Sequence, residues 1–294
     1  DRSRTGIPNS LQEHWMPFTS NKSFKKDPRL ITEAKGVYIK DHKGRTQIDA
    51  SSGLFCNPLG HGRKEIINAI TKQLETLDFV TPFQQGFGGS FELATKIAKH
   101  TPGDLNQIFY TICGSTAVET ALKISIAYNK ARGQGQRFRF VGRERAYHGM
   151  NIGGTSVGGM INNVKTFASI LMPGVLHMRH THLPEHKFVK GQPETGAELA
   201  NDLERIATNF GAENIAACIV EPISGSTGTL VPPKGYLNKL REICDKHDIL
   251  LIFDEVITGW GRTGSVFAAQ EYDVTPDIMT MAKATTNGIV PMGV

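Results

Sequence analysis

Cysteine is scarce in this sequence. The 294 residues hold four, Cys56, Cys113, Cys218 and Cys244, far apart and with no Cys-x-x-Cys pair among them. That argues against a disulfide scaffold and for free thiols in a reducing compartment. No run approaches the ~18 uninterrupted apolar residues of a membrane span, and no apolar signal segment stands at the start. The dipeptide Gly-Lys is absent. Leu250–Glu255 looks like the metal-binding strand of a nucleotide triphosphatase, but without Gly-Lys the phosphate-cradling loop of such enzymes cannot be built. Charge of one sign is not concentrated either. The net charge is +5, but acids are interspersed, and Lys25-Lys26 and Arg143-Glu144-Arg145 are the densest basic spots. The basic face of a nucleic-acid binder is not visible, whereas a mild positive bias suits phosphate and carboxylate anions. There is no internal repeat.

What is present is a pattern of alternation. The length allows one large or two ordinary domains. Residues 1 to about 35 are irregular, with Pro8, Pro17 and Pro28, and residues 36–40 and 46–49 read as a hairpin. Ile66, Ile67, Ile70 and Leu74 give helical spacing over 64–77, and 91–100 reads as a second helix with Ser90 as its N-cap. Strands are then expected at 108–112, 138–141, 215–221 and up to Asp254, with helices at 117–130, 197–210 and 236–247. Short, wholly apolar strands between amphipathic helices predict an α/β domain with a mainly parallel sheet covered on both faces. Ligands of such sheets bind outside the carboxyl ends of the strands, where Asp254, Glu221 and Gly114-Ser115-Thr116 all fall.

Several motifs compete for the function. Gly114-Ser115-Thr116 joins a strand to a helix and suits a phosphate at the positive helix end; a simple helix cap gives the same residues. Gly259-Trp260-Gly261-Arg262-Thr263-Gly264 matches the dinucleotide pattern formally. Its context is wrong, however: no acid follows at the required distance, so we read it as a turn. His177, His180, His182 and His186 lack the spacing and the cysteines of a zinc site and read as a solvated loop; no metal is expected. Ser156, Ser224 and Ser226 form no nucleophile elbow. Lys283 stands on a small-residue turn after an apolar stretch, and Asp254 ends a strand. Such a lysine and acid suit an enzyme that holds an aldehyde cofactor as an imine and keeps a ring nitrogen protonated. A surface lysine beside an ordinary strand-end acid is the alternative.

Taken in order, strand–Gly114-Ser115-Thr116–helix, Tyr147-His148-Gly149, Glu221-Pro222, Asp254-Glu255-Val256-Ile257-Thr258-Gly259 and Ala282-Lys283 resemble class III (ω-type) pyridoxal-phosphate aminotransferases. The likeness runs from His14-Trp15-Met16-Pro17-Phe18-Thr19 to the last residue. It is most specific for the β-alanine or ω-amino-acid:pyruvate branch at residues 142–149, 156–160, 190–194 and 231–236.

The resemblance implies a fold-type I enzyme, with 1–61 as the N-terminal segment of the small domain and 62–294 as an incomplete large, cofactor-binding domain. It implies pyridoxal 5'-phosphate, with Lys283 as the covalent attachment point and proton shuttle and Asp254 on the ring nitrogen. Tyr147 and Val256 would lie on opposite ring faces, Gly114, Ser115 and Thr116 at the phosphate, and His148 and Glu221 in supporting places. Phe18 and Phe55 would wall the substrate pocket. The implied reaction moves an amino group from a β-alanine-like amino acid or amine to pyruvate. A homodimer or dimer of dimers is implied, in the cytoplasm or, in a eukaryote, the mitochondrion, with no nucleic-acid or membrane partner. Other class III activities remain alternatives, a 4-aminobutyrate or ornithine transaminase or an aminomutase, as does a catalytically silent cofactor-binding fragment.

The sequence departs from the family at Phe55, where this branch usually has Trp. It also departs at Cys113 and Thr116, which replace Ser and Glu around the phosphate turn. The chain begins at Asp1 without a Met, so a trimmed N-terminus is expected. Family members continue past the position of Val294 into a part that carries a carboxylate-reading arginine and a threonine lent to the partner subunit. A fragment is therefore expected, with its own activity open.

Overall fold

The computed structural model describes residues 6–294. They divide into two compact units: residues 6–86 with Asn287–Ile289, and Phe87–Thr286 with Val290–Val294. Helix 64–76 thus falls in the first unit, although the resemblance groups residues 62–294 together.

The first unit carries a three-stranded antiparallel sheet of β1 (Ile31–Lys35), β2 (Tyr38–Asp41) and β3 (Thr46–Ile48). The expected hairpin is there, with Tyr38 opposite Ile48 and Lys40 opposite Thr46. Asp41 closes its turn, accepting from the backbone N–H groups of Lys43 and Arg45 and from the Arg45 side chain. The helix Lys64–Thr76 forms as its spacing predicts, yet Ile67 and Leu74 remain largely exposed. Asn287 is tied in by its side chain, which accepts from Leu59 N–H and donates to the Gly60 carbonyl.

In the second unit, β4 (Arg139–Arg143), β5 (Val175–Met178), β6 (Ile215–Val220), β7 (Leu250–Asp254) and β8 (Ile278–Thr280) form one sheet in the order β5-β4-β6-β7-β8. Every pairing is parallel. The central strand β6 is apolar throughout and β7 is apolar up to Asp254, because both faces of the sheet are covered there. Val141, Cys218, Val220, Leu251 and Phe253 pack into one core with Leu203, Ile206, Leu237 and Leu240. The alternate residues Phe140, Ala217, Ile219 and Ile252 pack into a second core with Val118, Ala121 and Leu122 of the helix Gly114–Ala131. From β4 the chain crosses to β5 on one side and then returns to β6 on the other. The order therefore reverses between the carboxyl ends of β4 and β6, the place where such sheets open a crevice.

Some expectations need correction. The second helix runs Gly88–Ala98 from an N-cap at Phe87, and Ser90 lies inside its first turn, donating to the Phe87 carbonyl. A hydroxyl there bonds back to its own turn. Residues 108–112 form no ladder; Thr111 alone bridges, with Gly293. Residues 197–200 are a 3₁₀ turn ahead of the α-helix Asn201–Phe210. The loop assigned to His177 is in part strand β5, where His177 Nε2 meets the Gly158 carbonyl at 2.7 Å. Among the described residues no helix is long and apolar enough to cross a membrane.

Candidate active site

Asp254 ends β7 and is 4% exposed. Its Oδ2 lies 2.8 Å from His148 Nδ1, and its Oδ1 accepts from Val256 N–H at 3.1 Å and Thr280 Oγ1 at 3.2 Å. With the Val256 N–H and the Thr280 hydroxyl donating to it, the carboxyl serves as an acceptor, and a His148 tautomer with its proton on Nδ1 completes the set. His148 is buried, and its Nε2 has no hydrogen-bond partner in the protein. Thr280 was not singled out from the sequence. Its only signal was a hydroxyl at the end of a short strand, and the register Asp254 opposite Thr280 gives it a role.

The next residue behaves differently. Glu255 is 1% exposed and accepts from Thr258 Oγ1 at 2.5 Å and from the N–H groups of Ala268 and Ala269 at 2.9 and 2.7 Å. It caps the short helix Ala268–Glu271, so of two adjacent acids one is structural.

The long helix begins at Gly114 rather than at the expected Ala117, so Gly114-Ser115-Thr116 is its first turn. First-turn N–H groups have no carbonyl behind them and carry the positive end of the dipole. Gly114 is required by close approach: a Cβ there would lie 2.9 Å from both γ-carbons of Val256. At Gly149, φ is +98° and a Cβ would meet Ser115 at 2.5 Å. Ser115 Oγ accepts from Met150 N–H at 3.2 Å, which ties this turn to the Tyr147-His148-Gly149 loop. Cys113 is the N-cap, with its Sγ 3.4 Å from Thr116 Oγ1. Burial pushes its thiol up, but hydrogen bonds with Thr116 and Ser115 outweigh that and bring it below the ordinary cysteine value.

Tyr147 is positioned by Glu221, at the carboxyl end of β6. Glu221 Oε1 accepts from Tyr147 N–H at 2.9 Å and Oε2 from Gly225 N–H at 3.0 Å. Burial raises the Glu221 carboxyl above its usual range. Burial, and then the charge of Asp254, likewise raise the Tyr147 phenol. Arg143, 1% exposed, donates to the Glu221 carbonyl at 2.7 Å and to Ser224 Oγ at 2.9 Å. The sequence marked Arg143 as part of a basic spot and of the 142–149 likeness, without a role of its own.

Lys283 follows β8 and the buried Met281-Ala282, opening the 3₁₀ turn Lys283–Thr286 with φ +47°. Met281 is clamped by two backbone bonds to Val294, at 2.9 and 2.8 Å. Because β7 and β8 are adjacent and parallel, Asp254 and Lys283 leave the same edge of the sheet. Phe18 and Phe55 belong to the other unit, both at positive φ (47° and 67°), with Phe18 80% exposed and Phe55 partly buried. Among the described residues no cluster of His, Cys, Asp and Glu could hold a metal ion.

A buried acceptor and a helix N-terminus, both near an aromatic ring, are chemically matched to a ring with a cationic nitrogen at one end and a phosphate at the other. The family model for class-III aminotransferases matches residues 19–294, and the chain belongs to that family of pyridoxal-phosphate enzymes, with its fold-type I architecture. Among its relatives, it is 53% identical over 286 residues to an omega-aminotransferase of Caulobacter vibrioides, covering 97% of this chain and 65% of that protein. It is 50% identical over 285 residues to a beta-alanine–pyruvate aminotransferase of Pseudomonas aeruginosa, covering 97% and 63%. The crystal structure of the Pseudomonas jessenii omega transaminase in complex with PMP superposes with a TM-score of 0.91 at 34% identity, covering 97% of this chain and 63% of that one. The chain thus spans less than two thirds of the length of these relatives.

Proposed function

We propose that this chain is the cofactor-binding part of a transaminase that moves an amino group from a β-alanine-like ω-amino acid or amine to pyruvate. The observation that carries the reading is the placement of Asp254 and Lys283 at the ends of neighbouring parallel strands, with Val256 against the first turn of the helix Gly114–Ala131. The names of the related omega-amino-acid and beta-alanine–pyruvate aminotransferases support the donor class and the acceptor.

In this reading Ser115, Thr116 and the N–H groups of Gly114 and its neighbours hold the phosphate of pyridoxal phosphate. Tyr147 and Val256 would enclose the ring, and Lys283 Nζ would be its covalent attachment point. Asp254, oriented by His148 and Thr280, holds the proton on the ring nitrogen. Bound there, pyridoxal phosphate supplies an electron sink for the substrate carbon that bears the amino group. Lys283, as a neutral amine, would be the base that takes up and gives back the proton at that carbon. Glu221 keeps the Tyr147 loop in place through two N–H bonds. One site serves the donor and then pyruvate, so the kinetics are ping-pong. Phe18 and Phe55 shape the donor pocket, and the working protein is a homodimer or dimer of dimers in the cytoplasm.

Borohydride reduction of the protein loaded with pyridoxal phosphate, followed by peptide mapping, tests this. We expect the label on the Lys283 peptide, and both labelling and transamination to be abolished in Lys283→Ala. Label on another lysine, or activity surviving in Lys283→Ala, would overturn the reading.

A further inference from the structure

The turn Gly259–Gly264 has no part in the cofactor site described above, yet it carries one of only two tryptophans, Trp260. Its indole packs edge-on against Phe267 (5.1 Å between centroids, 61°) and His100 (6.2 Å, 71°), and Phe267 is fully buried. The ring is therefore anchored in the core while its N–H points elsewhere. Nε1 donates to Thr285 Oγ1 at 2.9 Å. Thr285 Oγ1 donates in turn to the carbonyl of Ala282 at 2.8 Å, and Thr285 N–H reaches the same carbonyl at 3.0 Å.

An indole N–H can only donate, and a hydroxyl has one proton. With Trp260 occupying a lone pair of Thr285 Oγ1, the hydroxyl proton is committed to Ala282. The carbonyl that receives both bonds belongs to the peptide plane leading into Lys283. Lys283 sits at φ +47°, a conformation that a non-glycine residue keeps only where surrounding bonds over-determine it. We propose that Trp260 is a positioning residue for Lys283, acting through the Thr285 hydroxyl to hold the left-handed turn that aims the amine. The proposal rests on the role given to Lys283 above.

Two substitutions break the relay at different links. Trp260→Phe keeps an aromatic ring against Phe267 but removes the N–H; Thr285→Val removes the hydroxyl, and Thr285→Ser restores it. Hydrogen exchange of the 282–287 backbone, read on the protein without added cofactor, reports the turn directly. Steady-state kinetics, and the pH at which the visible absorbance of the cofactor-loaded protein titrates, report the amine. We expect faster exchange in Trp260→Phe and Thr285→Val. We also expect kcat to fall about three- to tenfold with KM little changed, the size of one neutral hydrogen bond, and the absorbance titration to move. Thr285→Ser should behave as the parent, and the double variant should be no worse than either single one, because both cut the same chain of bonds. Unchanged exchange in Trp260→Phe, or a fall in melting temperature with the titration unmoved, would show that the indole is packing alone. Should the parent protein carry no cofactor on Lys283, the functional reading fails, while the exchange measurement still decides the relay.

Discussion

All six residues of β6 are buried, whereas all three of β3 are exposed, and the central strands of the parallel sheet differ in the same way from the antiparallel sheet. The parallel sheet of the second unit has a packed core on each face, so its strand ends are fixed points on which Asp254, Glu221 and Lys283 are mounted. The antiparallel sheet of the first unit is held by backbone ladders and a few side-chain bonds such as those of Asp41, with Ile31, Tyr38 and Ile48 exposed. A site whose groups must be held to fractions of an ångström belongs on the first kind of frame. The substrate-pocket residues assigned by resemblance, Phe18 and Phe55, lie in the first unit, outside the parallel sheet.

The comparison can be tested where it should matter most. Asp254→Asn, made in the full-length protein, leaves the fold of β7 intact but removes the charge that would hold the ring nitrogen protonated. Breaking a buried charge pair costs ~3–5 kcal/mol. If that falls on the transition state, turnover should drop by roughly two to four orders of magnitude. Transaminase assays with the cofactor still bound decide it, and a loss below about tenfold would remove Asp254 from the assignment.

Stability should separate the two frames next. Phe253, fully buried in β7, lies between packed layers, and Phe253→Ala should destabilise by about 3–5 kcal/mol. Ile48→Ala, at a position 65% exposed in β3, should stay within about 0.5 kcal/mol. Denaturant melts of both variants against the parent sharpen the contrast; similar losses would mean that β3 is covered in the working protein.

The smallest effect concerns Cys113, exposed at the helix start, against Cys218 and Cys244, both buried. Its thiol titrates below the ordinary cysteine value, so the thiolate that reacts forms at lower pH than in an unperturbed cysteine. Alkylation by iodoacetamide should reach half its maximal rate at a pH below that of a free thiol and should select Cys113. Saturation with pyridoxal phosphate should slow it. Equal labelling of these three cysteines would break the picture of a fixed parallel frame.

Periodicity made most of the second unit legible. The helix 236–247 and the strands ending at Val220 and Asp254 lie where the apolar pattern puts them, the helix because one stripe of it is buried and the strands because both of their faces are. The strand expected at 108–112 failed because a strand needs a neighbour: composition marked it as apolar, but only Thr111 finds a bridge. Ser90 failed as a cap because the helix starts at Gly88, with Phe87 as its N-cap, rather than at Phe91 as the hydroxyl suggested.

Within the site, the sequence by itself determined which chemistry-bearing residues are present and in what order: a lysine on a small-residue turn, an acid at a strand end, a glycine-serine-threonine turn at a helix start. Residue type and spacing suffice to list them, whereas the reasons for a Gly at 114 and an acid at 254 lie in distant segments, Val256 for the one and His148 and Thr280 for the other. Only the tertiary structure decided their division of labour. Asp254 and Glu255 are adjacent acids, and nothing in their order says that one faces His148 and Thr280 while the other caps a helix. Trp260 and Thr285 are twenty-five residues apart, and their hydrogen bond exists only because the turn after β7 packs beside the turn after β8. Such pairings are set by the register of neighbouring strands and the direction each side chain takes from it, which no single segment encodes.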